Sequence, residues 1–166
     1  MRKVLAGMVL FIAACSSGVS APEIGATELV CNELFCVDVP RGWQAEIGET
    51  YLSFHHDLDP TNTFLTVGVS NMRAIVEATG QTWPVSAEDT TRAFWSLLEE
   101  GDAGTFARST RRVGGSIKSW GTHSDGVMWF LLTPTEGSSA IGIEMRAPNA
   151  SWEAHADRVF DSLTTP

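Results

Sequence analysis

The sequence predicts a single α+β domain in which helices cover a twisted antiparallel β-sheet. Short segments of alternating apolar and polar residues, separated by turns rich in Gly, Pro and Asp, indicate antiparallel strands. Two longer segments carry apolar residues at helical spacing. In the strand over 127–133 both alternating sets are apolar, which indicates that this strand is covered on both faces.

The chain begins with the features of a signal peptide. Two basic residues precede an apolar run that would span only about 16 Å as a helix, too short for the ~30 Å core of a bilayer. The segment Ile12-Ala13-Ala14-Cys15 resembles the lipobox of bacterial prolipoproteins, in which the cysteine receives a diacylglycerol before cleavage. We expect removal of residues 1–14 and lipidation of Cys15. Cleavage after Val19-Ser20-Ala21, with Cys15 discarded, is the alternative.

Lipidation would place the domain outside the cytoplasm, anchored to the cell membrane or the outer membrane. Two or three acyl chains on Cys15 give stable attachment, whereas one gives only marginal binding. Residues 15–27 are rich in Ser, Gly, Ala and Pro, which predicts a flexible tether with an r.m.s. reach of about 20 Å. Residues 28–166 are then one folded domain.

The processed chain is strongly acidic. Loss of Arg2 and Lys3 leaves nine basic residues against twenty acidic ones, a net charge of about −11. Nucleic acid and anionic headgroups are poor partners for such a surface, and an acidic balance is common in soluble secreted domains. We expect no nucleic-acid partner, and the sequence carries no motif that indicates a cofactor.

Cys31 and Cys36 remain after processing. In an oxidising compartment, two cysteines with four residues between them predict one disulfide, which would stabilise the fold by about 2 kcal/mol. The spacing is not that of a C-x-x-C redox motif, and no second pair of ligands accompanies it as a zinc site requires. We interpret this pair as structural.

Three strands are predicted in the first half of the domain. Alternating apolar residues over 34–39 predict a strand that ends at Pro40. Strands over 51–55 and 64–70 follow, separated by a turn-rich segment. Residues 71–79 fit helical spacing and an extended chain equally well.

Two helices are predicted. Ser86 and Asp89 have the spacing of a capping box, which predicts a helix over 87–100 that ends at Gly101. Its apolar stripe contains Phe94, Leu97 and Leu98. The second helix, over 151–163, has apolar residues at helical spacing. These residues are Trp152, Ala156, Val159, Phe160 and Leu163.

Four strands between these helices predict an antiparallel meander. The strands cover 105–112, 116–122, 127–133 and 140–146, and the segments between them have hairpin turn chemistry. The last strand alternates apolar residues with Gly142, Glu144 and Arg146, which predicts that one of its faces meets water.

Together these elements resemble the PsbP-like αβα sandwich. The likeness covers about residues 32–164 and depends on Val39-Pro40-Arg41-Gly42-Trp43, the helix start Ser86-x-x-Asp89, the meander and the closing Phe160-Asp161-Ser162-Leu163. In particular, the chain is similar to small actinobacterial lipoproteins of the LpqN type. The resemblance implies a non-enzymatic scaffold with binding and assembly roles in cell envelopes and thylakoids, with no shared catalytic set.

The densest group of metal-ligand residue types lies near residue 56. Adjacent residues on a strand point to opposite faces, so His55 and His56 cannot readily bind one ion. Weak binding of Ca²⁺ by Asp57, Asp59 and Asn62 is the alternative, although their spacing is not that of an EF-hand loop. We predict a solvated strand end and no metal site.

Ser116, His123 and Asp125 raise the alternative of a small esterase-like hydrolase at the membrane surface. Ser116 lies in Gly114-Gly115-Ser116-Ile117-Lys118, which lacks the closing glycine of a nucleophile elbow, and the other two residues lie at a predicted hairpin turn. This alternative requires a serine, a histidine and an acid within hydrogen-bond reach.

Four basic residues are candidates for ligand binding. Arg108, Arg111, Arg112 and Lys118 lie within eleven positions of an otherwise acidic domain. A guanidinium group suits a phosphate or carboxylate headgroup. Pairing with acidic neighbours on a sheet face is the alternative.

Three aromatic residues are candidates for an apolar groove. Trp83 lies in a loop, and Phe94 or Trp95 from the adjoining helix would line the groove with it for a lipid or a peptide. A loop tryptophan that folds back onto the core is the alternative.

These features favour an envelope-anchored, non-enzymatic binding or accessory module. Its partners would be the membrane, through the lipid anchor, and an amphiphilic ligand or an envelope protein. The alternatives are the hydrolase and a structural component of an envelope assembly.

Overall fold

The computed structural model describes residues 19–57, 63–102, 107–123 and 125–165, with the side chains of Asp102, Ala107, Arg108 and His123 left out. Cys15, Asp59 and Asn62 therefore lie outside the described residues. Nine strands are described: β1 Thr27–Cys31, β2 Cys36–Pro40, β3 Trp43–Ile47, β4 Tyr51–His56, β5 Phe64–Asn71, β6 Ala107–Val113, β7 Ser116–His123, β8 Gly126–Pro134 and β9 Ser139–Ala147. The helices described are α1 Met72–Ala78, α2 Ala87–Asp102 and α3 Glu153–Ser162, the last preceded by a 3-10 turn, Ala150–Trp152.

Seven of these strands form one antiparallel sheet in the order β3-β4-β5-β9-β8-β7-β6. Strands β6 to β9 are the predicted meander, and β9 closes it by pairing with β5 as well as β8. The α+β class with a twisted antiparallel sheet and covering helices is thus confirmed. Two strands, β1 and β3, were not predicted, and residues 71–79 form the end of β5 followed by α1.

Strands β1 and β2 form a separate hairpin that lies on the sheet with α3. Next to the turn of the hairpin, the predicted disulfide joins Cys31 to Cys36, which are also register partners. A backbone bridge between Cys36 and Thr164 connects the hairpin to the segment after α3. The hairpin and α3 together cover one face of the sheet, which we call the hairpin face.

The opposite face is covered by α1 and α2, and we call it the α2 face. Strand β8 shows why both layers are needed. Trp129 and Leu131 belong to the core on the hairpin face, whereas Met128, Phe130 and Leu132 belong to the core on the α2 face. The prediction that this strand is covered on both sides is confirmed.

The α2 face is only partly covered. On β9, Glu144 and Arg146 are half-buried and form an ion pair of 2.8 Å. On the same face of the strands beyond β9, Gln44, Glu46 and His55 are exposed. The helices thus cover the β7–β8 half of this face. The predicted exposure of this face of β9 holds only in part, because Gly142 is buried and Glu144 and Arg146 are half-buried.

The segment predicted as a tether is packed on the domain in its described part. The Val19 carbonyl accepts hydrogen bonds from Asn149 Nδ2 at 3.2 Å and from Trp152 Nε1 at 3.0 Å. The Ala21 N–H donates to Ser151 Oγ at 2.9 Å. The expectation of a flexible tether up to residue 27 therefore differs from the structure, in which β1 already begins at Thr27.

Candidate functional site

A cleft of about 530 Å³ lies between α2 and the edge strand β6. Its lining combines cationic, acidic and aromatic side chains. The lining residues are Glu88, Arg92, Trp95, Thr110, Arg111 and Arg112. The structure thus brings three of the predicted ligand-binding residues, Trp95, Arg111 and Arg112, to one place.

The start of α2, which contributes Glu88 and Arg92 to the cleft, is held by the capping box. Ser86 Oγ accepts from the Asp89 N–H at 3.1 Å, and its hydroxyl donates to Asp89 Oδ2 at 2.7 Å. The hydroxyl bond of Ser86, with smaller help from Arg92, lowers the pKa of the Asp89 carboxyl. This arrangement confirms the predicted cap and places Glu88 one residue into the helix.

Trp95 forms the floor of the cleft. Only 1% of its surface is exposed, and its indole N–H donates to Ser119 Oγ on β7 at 2.9 Å. Since an unpaired indole N–H is costly in a core, this bond fixes the ring and the adjoining turn of α2 over β7. The bond therefore holds Trp95 in place in the lining of the cleft, which also contains Arg92 and Arg112.

Two arginines that line the cleft, Arg112 and Arg92, are paired with carboxylates. Arg112 Nη2 lies 2.9 Å from Glu88 Oε1, and Arg92 Nη1 lies 2.6 Å from Asp89 Oδ1. Both guanidinium groups remain accessible, with 60% and 67% of their side chains exposed. Exposed ion pairs contribute only about 0–1 kcal/mol, so an anion in the cleft can compete for either guanidinium.

The other predicted basic residues are not gathered in the cleft. Arg111 is in register with Lys118, so its side chain starts from the face opposite Arg112 although it contributes to the lining. Lys118 is buried on the hairpin face, where it pairs with Asp157 and lies over the Phe160 ring. The Arg108 side chain lies outside the described part of the chain.

Burial of Lys118 perturbs its ionisation. Removal from water lowers the pKa of its ammonium group, and repulsion from Arg111 lowers it further, against the opposing charges of Glu153 and Asp161. Lys118 does not reach a ligand in the cleft, because its side chain is buried on the hairpin face. It connects β7 to α3 instead.

Trp83 and Phe94 pack beside the cleft and do not line it. Phe94 stacks on Phe130 with ring centroids 4.0 Å apart, and half-buried Trp83 packs against the same core on the α2 face. The loop tryptophan has folded back onto the core, which is the alternative to the predicted groove. Trp95 is the member of that trio that reaches the cleft.

Sequence reasoning missed Glu88, Arg92 and Thr110. Glu88 and Arg92 lie one turn apart on α2, so their shared face was readable from helical spacing. Their meeting with β6, however, depends on how α2 crosses the sheet. No local pattern specifies that crossing.

The histidines at the end of β4 lie on opposite faces, as the strand alternation predicts. His56 is buried against Trp43 and Trp152, whereas His55 is exposed beside Phe64. Among the described residues, no group of three or more His, Cys, Asp or Glu side chains has the arrangement of a metal site.

Ser116 and His123 occupy the first and last positions of β7. At a rise of ~3.3 Å per residue, their backbones are about 23 Å apart, far beyond the reach of a hydrogen bond between their side chains. These two residues therefore cannot form the nucleophile and base of one triad.

Comparisons with known proteins support the architecture. No family model matches the sequence, and no curated protein does. The solution structure of cyanobacterial PsbP (CyanoP) from Synechocystis matches with a TM-score of 0.58 at 12% identity, over 89% of this chain and 98% of that chain. The chain has a PsbP-like fold. The resemblance read from the sequence is thus confirmed at the level of the fold.

A second match adds nothing to this conclusion. A crystal structure from Bacteroides thetaiotaomicron gives a TM-score of 0.40 at 16% identity, over 80% of this chain and 45% of that chain. The PsbP-like fold supports many arrangements of loops and surfaces, so the fold by itself assigns no ligand. In the described part of the chain, no helix is long and apolar enough to cross a bilayer.

Proposed function

We propose that this protein is an envelope-anchored lipoprotein with a PsbP-like domain that binds an anionic amphiphile without chemically changing it. The observation that carries the proposal is the cleft whose lining includes Arg92, Arg112 and the buried Trp95. Two guanidinium groups suit a phosphate or carboxylate head, and the apolar floor at Trp95 suits an apolar portion next to it.

The net charge of the domain limits how an anionic ligand can be recognised. The processed chain would carry a net charge of about −11, so the protein as a whole repels anions. A ligand that enters a cleft with two exposed guanidinium groups must therefore be recognised at short range. The negative electrostatic field of the domain does not favour an anion. Selectivity for the head group would therefore come from its direct contacts with Arg92 and Arg112.

The anchor rests on the lipobox. Ile12-Ala13-Ala14-Cys15 and the likeness to LpqN-type lipoproteins support acylation of Cys15, which would hold the domain at the cell membrane or the outer membrane. The intact mass of the protein purified from its own cells tests this part. We expect a chain that starts at Cys15 and carries diacylglycerol, and an unmodified chain starting at Met1 would contradict it.

Ligand binding is tested with short-chain lipids below their micelle-forming concentration. Dihexanoyl phosphatidylglycerol is titrated into the protein while the Trp95 indole N–H resonance is followed, with dihexanoyl phosphatidylcholine as the probe of equal chain length. We expect saturable binding of the anionic lipid alone. Equal binding of both lipids, or an unmoved Trp95 resonance, would overturn the assignment of this cleft.

Three variants make the test specific. The double variant Arg92→Gln with Arg112→Gln should weaken binding at least about tenfold, or roughly 1.4 kcal/mol. Glu88→Gln should strengthen it, because Glu88 competes with the ligand for Arg112. Arg73→Gln is the matched control, since Arg73 is equally exposed and ion-paired on α1 but lies outside the cleft.

A further inference from the structure

Residues 19–21, which we call the N-terminal strap, are bound to one end of the sheet. The Val19 carbonyl accepts two hydrogen bonds, from Asn149 and Trp152, and the Ala21 N–H donates to Ser151. Ala21 also packs against the core on the hairpin face. The strap is therefore held by three hydrogen bonds and by apolar contact.

The strap binds at a defined end of the domain, which we call the 149–152 end. Trp43, Phe64, Gly126 and Ala147 terminate their strands there. The turns at the opposite end contain Gly48, Gly114 and Gly137. Strands of eight or nine residues separate the two ends by about 25 Å.

We propose that the 149–152 end faces the lipid bilayer and that the strap sets this orientation. The inference rests on the proposed acylation of Cys15. Val19 is four positions after Cys15, and an extended chain over that separation spans at most about 15 Å. A domain bound at Val19 cannot turn its opposite end toward the surface that holds the anchor.

The charges at this end favour orientation by the proposed covalent anchor over orientation by electrostatic attraction. Among the described residues at the ends of the elements that terminate here, Arg41 is accompanied by the acidic Asp57, Asp125 and Glu153, so this surface does not favour anionic headgroups. The orientation should therefore be insensitive to salt. An alternative orientation, with the arginines of β6 on an anionic surface, would be weakened by salt.

The orientation also determines where the cleft opens. Arg112 is in register with Ile117 and lies next to the β6–β7 turn, at the end opposite the strap. The cleft would then face the aqueous side. A ligand or partner would reach it without entering the bilayer.

Paramagnetic broadening tests the orientation. The lipidated protein is placed in phosphatidylcholine nanodiscs with and without gadolinium-labelled lipid, and amide resonances are compared. We expect the strongest broadening at Gly126, Ser151 and Glu153 and the weakest at Gly114 and Gly137, at low and high salt alike. Equal broadening at both ends, or strongest broadening on β6, would overturn the proposal.

Two variants separate the strap from the rest of the domain. Asn149→Asp with Ser151→Ala removes two of the three strap hydrogen bonds, and the carboxylate introduced at position 149 still accepts from the backbone N–H of residue 151. Insertion of ten Gly and Ser residues after Gly18 lengthens the connection without touching the domain. Both should abolish the difference between the two ends, and a difference that persists in both would contradict a role for the strap.

The same measurement distinguishes failure of the anchor from failure of the orientation. If intact mass shows no acylation, the lipoprotein proposal fails on that result alone. Cys15 is the one cysteine outside the disulfide, so its thiol can then be coupled to a maleimide lipid in the nanodisc. The broadening pattern of that anchored chain decides the orientation independently.

Discussion

Trp95 on α2 donates its indole N–H to the hydroxyl of Ser119 on β7 across 2.9 Å, and both residues are buried. This bond joins two residues that are 24 positions apart in the chain. It connects the floor of the cleft to the interior of the sheet. We expect this contact to help position α2 over β7.

Ser119→Ala tests that dependence. Removal of the acceptor deprives a buried indole N–H of its bond, which should cost about 1–3 kcal/mol of unfolding free energy in urea titration. Ser116→Ala is the control, because Ser116 bonds Thr133 at the half-buried start of β7, away from α2. Equal losses of unfolding free energy in the two variants would show that the Trp95 bond stabilises the domain no more than the Ser116 bond does.

Replacement of Lys118 by Met should leave stability within about 1 kcal/mol of the original or raise it. Desolvation of the buried ammonium offsets most of what its pair with Asp157 contributes, and Met keeps the apolar contact with Phe160. Asp157→Ala should instead lower the free energy of unfolding by about 2 kcal/mol. The loss is limited because 40% of the Asp157 side chain is exposed. Denaturant titration of both variants gives the comparison, and a larger loss for Lys118→Met would contradict it.

Most of the sheet could be predicted because its strands are buried on at least one face. Strands β1 and β3 could not, since Glu28, Leu29 and residues 44–47 are all exposed and their sequences lack a clear alternation. Segment 71–79 was ambiguous, yet Met72 and Val76, four residues apart, are the buried positions of α1. Met72 and Val76 are buried because α1 packs beside α2, and no local pattern reveals that packing.

The candidate site was predictable in part. The two-residue turn Gly114-Gly115 fixes the β6–β7 register, so the pairing of Arg111 with Lys118 and their separation from Arg112 were readable from the sequence. The contact of Arg112 with Glu88 was not. It depends on the angle at which α2 crosses the sheet.

Gly126→Ala should destabilise the domain by more than about 2 kcal/mol. Gly126 has φ +147°, and an added Cβ would lie 2.3 Å from the Ala147 carbonyl oxygen, which is backbone and cannot move aside. Gly115→Ala is the matched control, because an added Cβ there has no neighbour within 4 Å and the backbone needs no positive φ. Thermal unfolding should show a lower Tm for Gly126→Ala alone.

His155 should make the domain less stable in mild acid. Burial lowers the pKa of its imidazole, and the neighbouring charge of His56 lowers it further, so the unfolded chain binds more protons below the ordinary value of 6.5. Stability contributed by neutral His155 is therefore complete above pH 6.5 and is lost as pH falls toward the lowered value. Urea titrations between pH 7.5 and pH ~5 should show this slope, and His155→Phe should reduce it because no group titrates there. A slope that survives His155→Phe intact would assign the acid sensitivity to another group.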